Sequence, residues 1–456
     1  WIWYYDREGC IQTTGIDFTQ DLPRLIVLLF AFQRFELKHW GFHPDLDVLA
    51  REIHRPNLSL ELLQKFLTED APASGNSDLS INATINLEDA KSVRLDFRTR
   101  RPIHRRHGLC GRATQVFSVS KILKTGDDLP IEAERFILKA YWPDVARLPE
   151  HKVIEAAYNA CSQDPDVVNH LPYVFGSRDD EEFDTALIRT ALEIEPSSRG
   201  RVLRLIVFEE LYRLQDQPTS EIGMTMTLQA IKCHYALWTK DIHHTDISLD
   251  NIMVRHRRKT LRLGVVNDWD LASTPASSPG ILERTGTIPF MHPELLTVDY
   301  WEGRVPRLYV HDNSSFIWVL AFLFLRYNKG NIIDAPTLPL DNLLTNDFEL
   351  ARMIKKDILI RKFVSGPDAQ KEWAVVLELF KWTVLVGVER DVARLNVNDN
   401  PEKLAEVLSA DDAPDVYKSF WRVLKNAAET NDLQYIVDMV PGVEGNPSSV
   451  AGEGGG

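Results

Sequence analysis

The sequence is poor in cysteine, with four cysteines in 456 residues. Cys10, Cys110, Cys161 and Cys233 are far apart and form no CxxC pair. A chain of this length with so few scattered cysteines suggests neither a disulfide framework nor a cysteine-based zinc site. A reducing, intracellular compartment, cytoplasmic or nuclear, fits this cysteine usage best.

The sequence also has no long hydrophobic run and no excess of positive charge. The longest apolar run, Phe316–Leu325, has ten residues, about half of what a bilayer-spanning helix needs. We therefore predict a buried core helix there and no membrane partner. The formal net charge is −14, which argues against a nucleic-acid partner, because such proteins need basic surfaces to displace the counterions of phosphates.

Strand patterns come first along the chain, and long helical patterns follow. Hydrophobic residues make up 44% and charged residues 26%, so a sizeable core is expected. Period-two and aromatic-rich segments predict a hairpin within Trp1–Asp17 and strands beginning near Val93 and within Arg112–Val119, Glu134–Tyr141 and Val202–Phe208. Helical spacing predicts helices at Leu22–Trp40, Glu150–Ala160, Thr225–Trp238, Asn313–Arg326, Asp347–Arg361 and Glu372–Val386. This order predicts an α+β fold of two lobes.

The most informative segment is His243–Val254, which contains His-x-Asp and an asparagine five residues after the aspartate. Phosphoryl transfer from ATP needs a carboxylate to accept the proton of the attacking hydroxyl and side-chain oxygens to hold magnesium. On a tight loop, this offset lets Asp246 face the acceptor as the catalytic base while Asn251 turns towards the metal. His244 is expected to be the buried brace of the loop. A helix-to-strand loop with polar caps is the alternative interpretation.

Two further segments fit the same chemistry. Leu263–Ala272 is an apolar strand that ends in Asp268, the position of a magnesium-binding carboxylate in kinases. Gly286–Leu296 matches the end of a kinase activation segment, in which Glu294 is expected to pair with an arginine further along the chain. Asp312 begins the apolar helix, and in kinases such an aspartate bonds to the backbone of the catalytic loop; a simple N-cap is the alternative.

Together these segments resemble one family. Trp3–Gly9, Gly111–Thr114, Lys139 with Trp142-Pro143, His244–Ser248 and Arg284–Met291 are similar to the fungal-type protein kinase family, over roughly residues 1–425. The resemblance implies a bilobal protein-kinase-like fold, ATP and Mg²⁺ as cofactors, and transfer to Ser or Thr hydroxyls of a protein substrate. The expected domains are an N-terminal extension (1–95) packing on the small lobe, an N-lobe (96–210), a C-lobe (211–435) and a disordered tail (436–456).

The nucleotide-binding residues are expected upstream. Phe136–Lys139 is an apolar strand ending in a lysine that would hold the phosphates, and a partly buried lysine needs a charged partner. Glu150 or Glu155 could be that partner; we prefer Glu150, because Arg147-x-x-Glu150 matches the family pattern. Gly108 and Gly111 would let backbone amides approach the phosphates, and Val116 would cover the adenine.

Val207–Leu211 is placed to connect the lobes. Phe208 is expected behind the adenine, and backbone groups of Glu209 and Leu211 are expected to recognise it. For Gly108 and Gly111, a plain hairpin turn is an equally good interpretation.

Several departures leave other functions open. Thr245 stands where many kinases have arginine, Ser248 where many have lysine, and Asp270 replaces a glycine. With the thin glycine loop, these changes allow a catalytically weak pseudokinase that acts as a nucleotide-binding module. A small-molecule kinase of the aminoglycoside or choline type shares the His-x-Asp pattern, although the Gly286–Glu294 segment favours protein substrates.

Overall fold

The computed structural model describes residues 1–41, 43, 81–86, 94–105, 110–123, 131–194, 200–257, 261–276, 286–333, 339–345, 347–360, 367–397, 402–403, 406–407, 410 and 412–442. The chain forms two compact units, one of Trp1–His151 with Tyr173–Glu210 and one of Lys152–Pro172 with Leu211–Gly456. The stretch 68–82 is rich in Ser, Asp, Asn, Pro and Gly, which predicts a loop; residues 68–80 lie outside the described residues, and residues 81 and 82 begin a strand. Residues 443–456 of the predicted disordered tail (436–456) also lie outside them, but residues 436–439 belong to the helix Gln434–Met439, so the predicted start of the tail is wrong.

The first unit contains most of the strands. A six-stranded antiparallel sheet has the order β3-β4-β5-β6-β8-β7, and a three-stranded sheet in the second unit has the order β11-β10-β9. The strands are β1 Trp3–Tyr5, β2 Cys10–Gln12, β3 Ile81–Asn86, β4 Arg94–Arg105, β5 Gln115–Leu123, β6 Ile131–Tyr141, β7 Val174–Asp184, β8 Val202–Glu209, β9 Tyr212–Arg213, β10 Ile252–Arg257, β11 Leu261–Val266, β12 Tyr327–Asn328 and β13 Asn331–Ile332.

The helices are concentrated in the second unit. They are α1 Leu22–Gln33, α2 Glu150–Ala160, α3 Pro165–Val168, α4 Thr185–Ala191, α5 Ser220–Trp238, α6 Val298–Trp301, α7 Tyr309–Arg326, α8 Phe348–Ile360, α9 Gln370–Val397, α10 Ala413–Thr430 and α11 Gln434–Met439. The strand-rich and helix-rich units confirm the predicted α+β class.

The core of the large sheet comes from alternating positions on three neighbouring strands, since successive side chains of a strand point to opposite faces. Its buried members are Phe117, Val119, Phe136, Leu138, Ala140, Leu203, Leu205 and Val207. The register aligns Lys139 with Val116 on one side and with Ile206 on the other. Lys139 therefore has a fixed position near the end of the central strand β6.

The N-terminal hairpin is held in the first unit by one buried arginine. The carboxylate of Asp6 closes the β1–β2 turn by accepting the N–H groups of Glu8 and Gly9, and the same side chain binds Arg189 on α4. Arg189 also lies 3.1 Å from Glu8, and its side chain is only 8% exposed. Two carboxylates thus satisfy one buried guanidinium, as the burial of a charge requires.

The core of the second unit surrounds α7. Every residue from Tyr309 to Leu325 is buried, which confirms the predicted core helix. Strand β11 packs on α5 at Gly264, where an added Cβ would lie 2.1 Å from the carbonyl oxygen of Met226. Only glycine allows this approach of strand to helix. Among the described residues, no helix is long and apolar enough to cross a membrane.

Candidate active-site residues

In the first unit, Lys139 forms a buried ion pair with Glu150. Its ammonium lies 2.8 Å from Glu150 Oε2, with the side chains 9% and 1% exposed. It also lies 4.5 Å from the centre of the Tyr141 ring. Glu155, the other sequence candidate, instead bonds to Lys152 at 2.9 Å on the surface. The helix start therefore supplies the partner of the buried lysine.

The predicted glycine loop is only partly described, since Gly108 lies outside the described residues. Gly111 has a positive φ of 88°, which glycine adopts without strain. Its N–H, however, donates to the Arg7 carbonyl at 2.8 Å. An intramolecular acceptor therefore already uses this one amide in this conformation, and the approach of backbone amides to phosphates around Gly108 and Gly111 stays a prediction. Val116 is half-buried on β5, opposite Lys139.

The segment predicted to recognise adenine lies at the end of β8. Phe208 is 5% exposed and is paired with Ile137 of β6. The N–H of Glu209 donates to the Tyr173 carbonyl at 3.2 Å, and its carboxylate accepts the Tyr173 N–H at 2.9 Å. The Glu209 N–H is therefore not available to a nucleotide in this conformation. Leu211 follows the strand and is partly exposed.

In the second unit, His244 is fully buried and braces the loop that carries Asp246. Its Nε2 lies 2.8 Å from the carbonyl oxygen of Asn267, and its Nδ1 accepts the Asp246 N–H at 3.3 Å. Burial lowers the pKa of His244, so the neutral ring with Nε2–H is favoured. Thr245 takes a left-handed backbone with φ of 64°, and its hydroxyl donates to the Leu271 carbonyl.

The carboxylate of Asp246 is partly exposed and holds a hydroxyl. Thr287 Oγ donates to Asp246 Oδ1 at 2.7 Å. Sequence reasoning did not identify Thr287 as an Asp246 partner, because no spacing rule joins residues 41 positions apart. Its place in the Gly286–Glu294 segment was the one available signal.

Asn251 is oriented by the same loop. Its side-chain NH₂ donates to the Asp246 carbonyl at 2.7 Å. The amide oxygen Oδ1 therefore points away from that carbonyl. Within the described part of the chain, Asn251 Oδ1 accepts no hydrogen bond. An amide oxygen left in this way fits a hard cation such as Mg²⁺, which takes oxygen ligands.

Asp268 follows β11 in a left-handed conformation, with φ of 65°. Such a backbone is uncommon outside glycine and occurs often at functional sites. The Asp268 side chain does not cap the short helical turn Trp269–Leu271 that follows. Trp269 is fully buried and donates its ring N–H to the Val266 carbonyl at 2.8 Å. Asn251 and Asp268 therefore both offer oxygen donors of the type that magnesium requires.

Glu294 anchors the Gly286–Glu294 segment to α7 and α9. It lies 3.0 Å from His311 Nε2 and 3.4 Å from Arg390, and it also pairs with Arg394. The expected arginine partner is thus present twice. His292, Glu294 and His311 are close enough to share a cation, but two guanidinium groups on the same carboxylate oppose a second positive charge. We assign this cluster to anchoring.

Asp312 does not bond to the backbone of the catalytic loop, so that expectation is wrong. Its two oxygens instead bind the side chains of Arg307 at 2.6 Å and His234 at 3.1 Å. Asp312 and His234 have no exposed side-chain surface and Arg307 is 11% exposed, and a guanidinium bonds more strongly to a carboxylate than a backbone N–H does.

The strand-rich unit with a buried Lys–Glu pair and the helical unit with a His-x-Asp loop define a protein-kinase-like fold. The family model described as fungal protein kinase matches residues 1–202 and 177–324. The matches cover more than half of the chain, which therefore belongs to the fungal protein kinase family, as the motifs predicted.

Solved kinase structures are similar at low identity. Vaccinia related kinase 3 has a TM-score of 0.41 and 11% identity, over 82% of this chain and 97% of that chain. The kinase PK-1 of Cydia pomonella granulovirus has a TM-score of 0.36 and 11% identity, over 62% of this chain and 86% of that chain. No curated protein matches the sequence.

Proposed function

We propose that this chain transfers the terminal phosphoryl group of ATP to serine or threonine hydroxyls of a protein substrate. ATP supplies the phosphoryl group, and magnesium neutralises charge on the phosphates. The observation that carries the proposal is the contact of Thr287 with Asp246. An aliphatic hydroxyl lies 2.7 Å from a carboxylate oxygen, the distance within which a base can accept the proton of an attacking alcohol.

Each remaining residue has a role that its contacts support. Asp246 is the base, oriented by His244. Asn251 Oδ1 and the Asp268 carboxylate would hold magnesium. Lys139 would hold the phosphates, and Glu150 keeps it charged and directed, since an unpaired buried lysine tends to lose its proton.

A protein substrate is favoured by the anchored segment that follows the loop. Glu294 is tied to α7 and α9 by His311, Arg390 and Arg394, and Thr287 of the same segment contacts Asp246, so the segment would offer a fixed surface beside the base. A small molecule would need no such surface, whereas an extended peptide would lie against it.

The first prediction concerns Asp246→Asn. The amide cannot accept a proton, so phosphate transfer should fall about 100-fold or more, in the range that general bases contribute. Binding of Mg-ATP should change little. The measurement is transfer of radiolabelled γ-phosphate to the chain itself and to an added unstructured protein, followed by phosphoamino-acid analysis.

Asp250→Asn is the matched control. Asp250 lies four positions further on and its side chain is 78% exposed, so its substitution should leave transfer unchanged. Equal transfer by wild type and Asp246→Asn would contradict the role of the base. Label on tyrosine alone would contradict the Ser/Thr assignment.

The second candidate function is a nucleotide-binding pseudokinase. It is favoured by Gly111, whose N–H is held by Arg7 and so cannot contribute to a phosphate-binding loop in this conformation. Mg-ATP binding by the wild type without transfer to any protein would support this candidate over the first. Transfer to a small alcohol alone would instead support a small-molecule kinase.

A further inference from the structure

Lys355 on α8 is a lysine with no exposed surface. Its ammonium donates to the Pro289 carbonyl at 2.6 Å and lies 3.7 Å from the centre of the Trp318 ring on α7. No carboxylate pairs with it among the described residues. Burial lowers its pKa well below the usual value, and both the charged and the neutral amine can donate to a carbonyl.

The carbonyl that Lys355 holds belongs to a tight turn. The N–H of Phe290 donates to the Thr287 carbonyl at 2.8 Å, and that of Met291 reaches the same oxygen at 3.3 Å. Phe290 is buried against Phe322. The turn is therefore held by one polar contact, from Lys355 to the Pro289 carbonyl, and by one apolar contact, between Phe290 and Phe322.

We propose that Lys355 is a positioning residue for phosphoryl transfer. By holding the Pro289 carbonyl, it fixes the turn that places the Thr287 hydroxyl on Asp246. The proposal rests on the proposed function, since it assigns Lys355 to the same site.

A purely stabilising role is a poor explanation of this lysine. Taking an ammonium out of water is expensive, and well-packed hydrophobic residues in place of buried charges are often neutral or stabilising. Methionine fills nearly the same volume as lysine without a donor. A residue that costs stability yet contacts the segment beside the base is better explained by what it positions.

The first test is independent of activity. Lys355→Met should change the unfolding midpoint little, because relief of the buried amine offsets the loss of the donor to the Pro289 carbonyl, while hydrogen exchange at the Phe290 and Met291 amides becomes at least about tenfold faster, because the turn loses its anchor. Lys356→Met is the control, since Lys356 is the exposed neighbour and should change neither quantity. Unchanged exchange in Lys355→Met would overturn the proposal even if the chain proves inactive.

The second test is a double-mutant cycle on kcat. Lys355→Met should lower kcat about tenfold or more with KM for ATP unchanged, since displacement near the base lowers the rate rather than nucleotide binding. In a Thr287→Ala background the same substitution should have little further effect. Equal losses in both backgrounds would show that Lys355 does not act through Thr287.

If Lys355→Met does not fold, Lys355→Gln replaces it in both tests. Glutamine keeps an N–H donor on a shorter side chain, so it should give intermediate exchange and an intermediate kcat. Wild-type values for both would contradict the proposed contact.

Discussion

The pairing of Lys139 with Glu150 shows how burial decides a question that spacing leaves open. Glu150 and Glu155 both lie on α2, and the sequence alone gives either as a partner. Only Glu150 is buried beside Lys139, and a buried charge without a partner is strongly unfavourable. The exposed Glu155 has no such requirement and bonds to a surface lysine.

The stability of the pair can be measured by removing one partner. Glu150→Ala removes the buried carboxylate that lies 2.8 Å from the Lys139 ammonium, so we expect a loss of about 3–5 kcal/mol of unfolding free energy. Glu155→Ala removes only a surface pair and should cost within about 1 kcal/mol. Urea denaturation of both variants measures the difference, and equal midpoints would show that the buried pair contributes nothing.

Among single residues, the sequence identified the catalytic and metal-binding candidates that belong to short motifs. Asp246, Asn251 and Asp268 were identified from fixed offsets, and their roles stay predictions. Lys355 could not be found in this way: Lys355 and Lys356 are adjacent and alike in sequence, yet one is fully buried and the other exposed. Tertiary packing alone distinguishes them.

Among the elements, helix positions followed from apolar spacing but helix ends depended on single caps. Helix α5 begins at Ser220 rather than Thr225, because the Thr219 hydroxyl accepts the N–H of Ile222 and so starts the helix earlier. Helix α9 continues to Val397, well past the predicted end at Val386. Helix α1 ends at Gln33, earlier than predicted, and a short 3₁₀ turn follows it.

Two of the longer elements were missed, together with several short ones. Strand β7 carries the acidic residues Asp179–Glu182, which suggest a solvated loop, yet it pairs with β8 along the sheet edge, where charged side chains are tolerated. Its Asp179 binds the buried Arg204 of β8 at 2.6 Å. Helix α10 was also not predicted.

The contact of β11 with α5 gives a prediction at the level of elements. In Gly264→Ala the new Cβ would meet backbone atoms of Met226, so strand and helix must separate, at an expected cost of about 1–3 kcal/mol. Gly387→Ala, in α9, meets nothing within 4 Å and should instead stabilise by about 0.5–1 kcal/mol. Opposite shifts of the thermal midpoint are expected; a neutral Gly264→Ala would contradict the close approach.

For the whole molecule, the α+β class and the family were predicted correctly because several independent motifs follow one order along the chain. The domain boundaries and the packing role of residues 1–95 stay predictions. Residues 44–80 lie outside the described part, and the two units divide the chain differently, since Lys152–Pro172 belongs to the second. Local composition does not change where the chain passes from one unit to the other, so the sequence could not predict these boundaries.

Acid stability is a property of the whole fold that one buried carboxylate should dominate. Burial alone would raise the pKa of Asp312, but Arg307 and His234 beside it hold that pKa well below its usual range. The resulting stabilisation is present above the unfolded pKa of about 4 and is lost as pH falls towards the folded pKa.

We therefore expect the unfolding free energy of the wild type to fall below pH 4 more steeply than that of Asp312→Asn. The variant should be less stable at pH 7, by about 3–5 kcal/mol, and the difference should shrink with acid. Urea titrations at pH 7, 5 and 3 measure both. Parallel pH profiles would show that Asp312 is not the responsible group.

The clamp of Asp6 and Glu8 on Arg189 also has a consequence for biosynthesis. About 180 residues separate the two sides of the contact, so the hairpin leaves the ribosome long before its arginine does. At about 5–20 residues per second, Asp6 and Glu8 are synthesised roughly ten to forty seconds before Arg189. During that interval the two carboxylates have no arginine to bind, so the hairpin can dock through this contact only after α4 has been synthesised.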